Sequence, residues 1–276
     1  MADLHIHSEK LSWCLDDIPF DSIEPSTVHN DEFLFLTLAS ASFVEILADL
    51  YSDNLISHFD GNAEVTGWLA ARWQKEEVQH GQALKTYIQL VWPEFDWETA
   101  HRAFVAEYRL LCTAEQLESH PGLELIARCV VETGTSTFYR ALRSYVQEPV
   151  LRQILNHISS DETAHYNHFR RFFQRLNASQ PHDLAAVVKT IWRRLYEIRS
   201  EDSYIAFKHA SIGLHPERPF RAADWIRYSK EVRNLARVHY PYRMAVSMLL
   251  KPVPLFKPLK QALQWPLFGL FYMLTH

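Results

Sequence analysis

Apolar residues recur at helical spacing in four long segments of this chain. Steps of three and four connect Leu34, Leu38, Ala41, Glu45 and Ala48 in the first, and Thr66, Leu69, Trp73, Glu77, His80, Leu84 and Ile88 in the second. The third reads Leu125, Cys129, Glu132, Ser136, Tyr139, and the fourth Leu151, Leu155, Ile158, Glu162, His165, Phe169, Phe172. This period predicts amphipathic α-helices. Punctuation residues set their ends. Asn30 or Asp31 caps a first helix running to about His58, and Asp60-Gly61-Asn62 is a turn. The second helix spans about 63–92 and stops before Pro93; Asp96 opens a shorter connecting helix through about Cys112. Pro121 and Pro149 suit the first turns of the third and fourth helices, which reach about Gln147 and Leu176. After a polar break, a fifth helix is expected over 183–210 and a sixth over 222–250, interrupted at Pro241. The expected organisation is a lead-in (1–29), a four-helix core (30–180), additional helices packing on it (181–250) and a Pro-rich apolar tail (251–276).

Each of the four stripes carries ionisable residues near its middle. Glu77 and His80 are one helical turn apart, and Glu162 and His165 repeat the spacing. A lone glutamate precedes each pair: Glu45 by 32 residues, Glu132 by 30. The two halves are offset by 87 and 85 residues, so two helix hairpins face each other about a pseudo-twofold axis. A carboxylate on a core stripe is costly unless paired or metal-bound. Four facing one another repel unless cations sit between them. Carboxylate with imidazole suits iron or manganese, and four glutamates with two histidines on four helices are the ligand set of di-iron bundles. Glu45, Glu77, His80, Glu132, Glu162 and His165 are therefore the expected ligands of two irons, with manganese an alternative at one position. A buried Glu–His hydrogen-bonded network would account for one such pair, but poorly for the ordered set of six. Another Glu-x-x-His, Glu98–His101, has no lone-glutamate partner and reads as a chance match. Asp161, beside Glu162, is a candidate to orient a histidine ligand. Thr135, one turn beyond Glu132, is a candidate to deliver protons; a helix threonine bonding its own backbone is the plainer account.

Composition narrows the remaining classes. Only 7 of 276 residues are Gly, which favours helix. With 28 basic against 33 acidic residues and no nucleic-acid-binding motif, no nucleic-acid partner is expected. Three cysteines without pairing pattern argue against a disulfide framework. The first residues lack a basic region followed by an apolar one, so no signal peptide is expected and the cytoplasm is the expected compartment. The longest uncharged run of the tail, Gln261–Thr275, is too short and too broken for a membrane span. The tail is expected to pack on the bundle or a neighbouring subunit, with contact to a lipid surface or protein carrier as the alternative.

These motifs have a familiar setting. Trp68-x4-Trp73-x2-Glu76-Glu77-x2-His80-Gly81 resembles the second-helix motif of soluble acyl carrier protein desaturases. Glu148-Pro149-Val-Leu and Asp161-Glu162-x2-His165 resemble their fourth helix, Glu132 with Thr135 their third, and Glu45 before Ala48 and Tyr51 their first. The resemblance covers about residues 30–176. It implies an all-α, ferritin-like four-helix bundle with additional C-terminal helices, and a homodimer. It also implies an O2-dependent di-iron oxidase that puts a double bond into an acyl chain, carrier-bound or free, with electrons from a ferredoxin-like donor. In it Thr135 takes the role of proton delivery. Val78-Gln79 and Tyr166 depart from the family's usual residues; they leave the ligand set intact and bear on the substrate. A hydroxylase, N-oxygenase or decarboxylating oxidase on the same scaffold is the nearest alternative. An iron-storage protein is the non-catalytic one, disfavoured by roughly 100 residues beyond the bundle that would hinder a closed cage.

Overall fold

The computed structural model of the chain describes residues 11–112, 116–197 and 202–275. The fold is all-α, a ferritin-like bundle with additional C-terminal helices, and no strand occurs among the described residues. Three short 3-10 turns lead into α1 (Glu32–Glu45), followed by α2 (Ala48–His58), α3 (Ala63–Trp68), a π-turn (Leu69–Trp73) and α4 (Gln74–Val91). Then come α5 (Trp97–Tyr108), α6 (Pro121–Tyr145) and α7 (Pro149–Ser179). Beyond them lie α8 (Leu184–Glu197), α9 (Asp202–Leu214), α10 (Ala222–His239), α11 (Tyr242–Leu250) and α12 (Lys257–Thr275).

Side-chain caps fix the helix starts by satisfying orphan backbone donors. Asp31 accepts from the Leu34 amide at 2.9 Å, and Asp96 from Thr99 at 3.0 Å. Glu148, ahead of Pro149, accepts from Leu151 at 2.7 Å and also takes the Tyr87 hydroxyl at 3.0 Å, tying the start of α7 to α4.

Two sequence expectations need correction. The first helix is not continuous to His58: it breaks after Glu45 and the chain bends by 44° into α2. Nothing in Ile46-Leu47-Ala48 is a helix breaker. The break is tertiary, because α4 approaches so closely that a Cβ on Gly81 would stand 2.7 Å from Ile46 Cα. The second helix carries the π-turn, one extra residue per turn, directly ahead of Glu76 and Glu77. The fifth helix is expected to run through 198–201, which lie outside the described residues; α8 and α9 flank them and α9 extends to Leu214. The tail is mostly helical, with Pro266 inside α12.

α6 and α7 lie side by side along most of their length, and α1 pairs with α4. α9 covers α1 and α5; α8, α10 and α11 pack on α6; α12 rests on α11 and α10. The apolar interior forms two cores. One gathers Leu34–Phe43, Ala83–Val91, Tyr139–Val146 and Val150–Ile158; the other gathers Leu55, Leu69, Trp73, Leu125–Cys129 and Phe169–Phe173. Along α4, α6 and α7 the transition between cores falls at Glu77–His80, Glu132–Ser136 and Glu162–His165. A polar layer thus crosses the bundle at mid-height, buried by the apolar faces on either side of it.

Candidate metal centre

The layer brings together all six residues singled out by spacing. Donor atoms of Glu45, Glu77, His80 and Glu162 lie within 4.8 Å of one another, as do those of Glu77, Glu132, Glu162 and His165. Glu77 and Glu162 belong to both groups. Each group adds one lone glutamate and one histidine, as the pseudo-twofold repeat requires. His80 is wholly buried, and Glu45, the least buried of the six, is 7% exposed.

Both imidazoles aim Nδ1 into the layer. His80 Nδ1 stands 3.2 Å from Glu162 Oε1, and His165 Nδ1 stands 3.1 Å from Glu77 Oε1. Their outer nitrogens are held by carboxylates: Nε2 of His80 by Asp161 at 3.1 Å, Nε2 of His165 by Glu76 at 2.8 Å. Asp161 and Glu76 each directly precede a shared glutamate and each reaches across to the histidine of the other helix. Such outer carboxylates fix the tautomer, leaving the inner nitrogen's lone pair for a ligand. The structure places Asp161 against His80; Glu76 against His165 was not singled out from the sequence, although its place before Glu77 mirrors that of Asp161 before Glu162.

Further partners complete each half. Arg72 donates to Glu76 at 3.1 Å. Asp161 accepts from the Trp13 indole at 2.6 Å and from Ser12 at 2.8 Å. Trp13 lies parallel to the His80 ring, centroids 6.2 Å apart, and stacks on His157 at 5.0 Å. The lead-in is therefore part of the site's wall. Residues 1–10 of that lead-in lie outside the described residues. Each lone glutamate also takes an aromatic donor: Tyr139 gives its hydroxyl to Glu45, and Trp73 gives its indole N–H to Glu132 at 3.3 Å. The Thr135 hydroxyl donates to Glu162 Oε2 at 2.6 Å, with its own-helix carbonyls farther off at 3.4 Å. Glu98–His101 stays apart: Glu98 pairs with Lys85, and His101 stacks on Trp97 at 4.3 Å.

Electrostatics separate the groups. Burial, then the charge of neighbouring Glu162, raises the Glu132 carboxyl to about 8. Burial and the same neighbour raise Glu45, and burial with Glu162 and Glu45 raises Glu77 further. Burial opposes ionisation of Glu162 too, but hydrogen bonding and charge from His80 and the charge of His165 hold it down to about 2. Burial opposes the charged form of both imidazoles, yet Asp161 and Glu162 around His80, and Glu132, Glu76 and Glu77 around His165, hold their protons well above the usual range. At separations near 4.8 Å, each ionised carboxylate pair repels by roughly 3–4 kcal/mol at an effective dielectric of about 20. Four ionised together would exceed the stability of a typical domain. The layer therefore needs protons or metal cations as counter-charge.

Four buried atoms bear on that choice. His80 Nδ1, His165 Nδ1, Glu132 Oε2 and Glu162 Oε1 have no hydrogen-bond partner. They face one another in pairs, His80 Nδ1 with Glu162 Oε1 at 3.2 Å and His165 Nδ1 with Glu132 Oε2 at 3.6 Å, without the alignment of a hydrogen bond. All four converge on the two groups, a donor set that fits a pair of divalent metal ions.

The fold and this layer define a helical-bundle protein with two buried Glu/His clusters able to bind metal. Residues 53–201, more than half of the chain, match the model of the fatty acid desaturase family, and the chain belongs to that family. No curated protein gives a significant match.

Proposed function

We propose that the chain is an O2-dependent di-iron oxidase that desaturates an acyl chain. The observation that carries this reading is the pair of four-residue groups sharing Glu77 and Glu162, with unpartnered donor atoms turned inward. Glu45 and His80 would hold one iron, Glu132 and His165 the other, and Glu77 and Glu162 both; manganese at one position is the alternative occupant. When bound, such a metal pair supplies the reduction of O2 that oxidises an unactivated carbon chain. The protein's own residues supply the rest. Asp161 and Glu76 keep His80 and His165 in the tautomer that presents Nδ1. Thr135 holds a proton against Glu162 Oε2, at the inner edge of the layer, where protons are needed as oxygen is reduced. The apolar cores on both sides keep water from the layer. Substrate presentation on an acyl carrier protein, electron supply by a ferredoxin-like donor and a homodimeric assembly belong to the same reading.

The test is anaerobic loading with ferrous iron, then addition of O2, a reductant and a panel of carrier-bound and free acyl substrates. A product two mass units lighter than its substrate supports desaturation. A product sixteen units heavier moves the assignment to hydroxylation, and iron mineralisation with no organic product removes the oxidase reading.

A further inference from the structure

Charge is distributed unevenly along the chain. Glu231 is its last acidic residue: residues 232–276 contain Arg233, Arg237, Arg243, Lys251, Lys257 and Lys260 and no Asp or Glu. Taking those six from 28 leaves 22 basic against 33 acidic residues before them, a formal charge of −11 ahead of a +6 segment. Among the described residues none of the six cations forms an ion pair with an acid. Arg233, Arg237, Arg243, Lys251 and Lys257 are exposed. Large apolar side chains lie exposed among them: Phe256 is 68% accessible, Trp265 65% and Met273 69%. The Arg243 guanidinium of α11 sits 4.7 Å above the Trp265 ring of α12, and Lys260 of α12 donates to the Lys251 carbonyl at the end of α11 at 2.7 Å, so cations and an exposed aromatic meet where α11 and α12 pack.

This face is held on the ligand-bearing helices. α12 rests on α11, the Tyr166 hydroxyl donates to the Met248 carbonyl at 2.7 Å, and Ser136 contacts Met248 Sδ at 3.9 Å. Tyr166 follows His165, and Ser136 follows Thr135.

We propose that the α11–α12 face docks on an anionic lipid surface, lying in the headgroup region without crossing it. A second copy is a poor occupant, since a twofold interface would set this acid-free cationic patch against itself. Exposed Trp, Phe and Met beside Lys and Arg are the composition of an interfacial amphipathic element: the apolar groups enter the acyl boundary and the cations meet anionic headgroups. No single helix among the described residues is long and apolar enough to span a bilayer, so the contact is peripheral.

The full chain is sedimented with phosphatidylcholine vesicles, with and without phosphatidylglycerol. Wild type is expected to pellet with the anionic vesicles, less with the neutral ones, and to be released by salt. Removing a cation costs about fivefold in binding, so Lys251→Gln, Lys257→Gln, Lys260→Gln together should weaken it by about a hundredfold. Trp265→Ser should also weaken it, whereas Trp192→Ser, which removes another exposed indole on α8, should not. Retained melting temperatures keep these variants comparable. Wild type staying in the supernatant, or equal binding by all variants, overturns the proposal. So does a dimer dissociated by Trp265→Ser, which assigns the face to a second copy, or capture of an acidic carrier protein with vesicles ignored.

Discussion

Gly81→Ala is the most revealing single substitution. Gly81 follows His80 on α4, and an added methyl would stand 2.7 Å from Ile46 Cα, with the Ile46 backbone nitrogen closer still. The obstacle is backbone, so relief requires the end of α1 to move. Glu45 is the last residue of α1 and precedes Ile46. Overpacking of this kind costs about 1–3 kcal/mol. For a chain of this size each kcal/mol shifts the midpoint by about 2–4 °C, so roughly 2–12 °C should be lost. The displacement also draws Glu45 away from Glu77 and His80 while leaving Glu132 and His165 in place. Calorimetry and anaerobic ferrous titration therefore read two linked effects: a lower melting temperature, and selective weakening of one of two metal equivalents. Gly67→Ala is the control. Nothing lies within 4 Å of its added Cβ, so it should be neutral or stabilising by about 0.5–1 kcal/mol. A Gly81→Ala protein that melts like wild type and binds both metals normally would refute the account of why α1 ends where it does.

Other outcomes follow from the same geometry. Glu77→Ala with Glu162→Ala removes both shared carboxylates and should abolish binding of either metal by elemental analysis, whereas His101→Ala should bind as wild type. Thr135→Val should retain both metals but consume more O2 per product, measured by oxygen electrode against product mass; unchanged coupling would leave Thr135 a structural residue. Metal-free protein should lose stability as pH rises from 6.5 to about 8: Glu132, raised to about 8, and the two histidines hold protons in the fold that the unfolded chain has released. Metal displaces those protons, so the gap in melting temperature between loaded and chelated protein should widen over that range; a gap that narrows there contradicts these assignments.

The bundle was legible in the sequence because its helices are long and their apolar stripes are interrupted at matching heights by Glu45, Glu77/His80, Glu132 and Glu162/His165. Local signals also found Asp31, Asp96, Pro121 and Pro149 at helix starts. The break after Glu45 was hidden because it answers to Gly81, 36 residues away, and to no residue in the break itself. The π-turn before Gln74 was hidden likewise, since no local residue marks a backbone irregularity held by tertiary packing. Glu76 was within reach, as the repeat that found Asp161 points to it. Trp13 was not: its bond to Asp161 spans 148 residues, and nothing in the lead-in's own sequence announces a wall of the buried Glu/His layer.

The proposed centre is one buried layer that holds two metals through two shared glutamates, Glu77 and Glu162. Anomalous diffraction at the iron edge, from crystals of protein loaded anaerobically with ferrous iron, tests it most directly. Two peaks are predicted, one bounded by Glu45, Glu77, His80 and Glu162 and the other by Glu77, Glu132, Glu162 and His165. A single peak in the layer, or iron bound only elsewhere, contradicts the account.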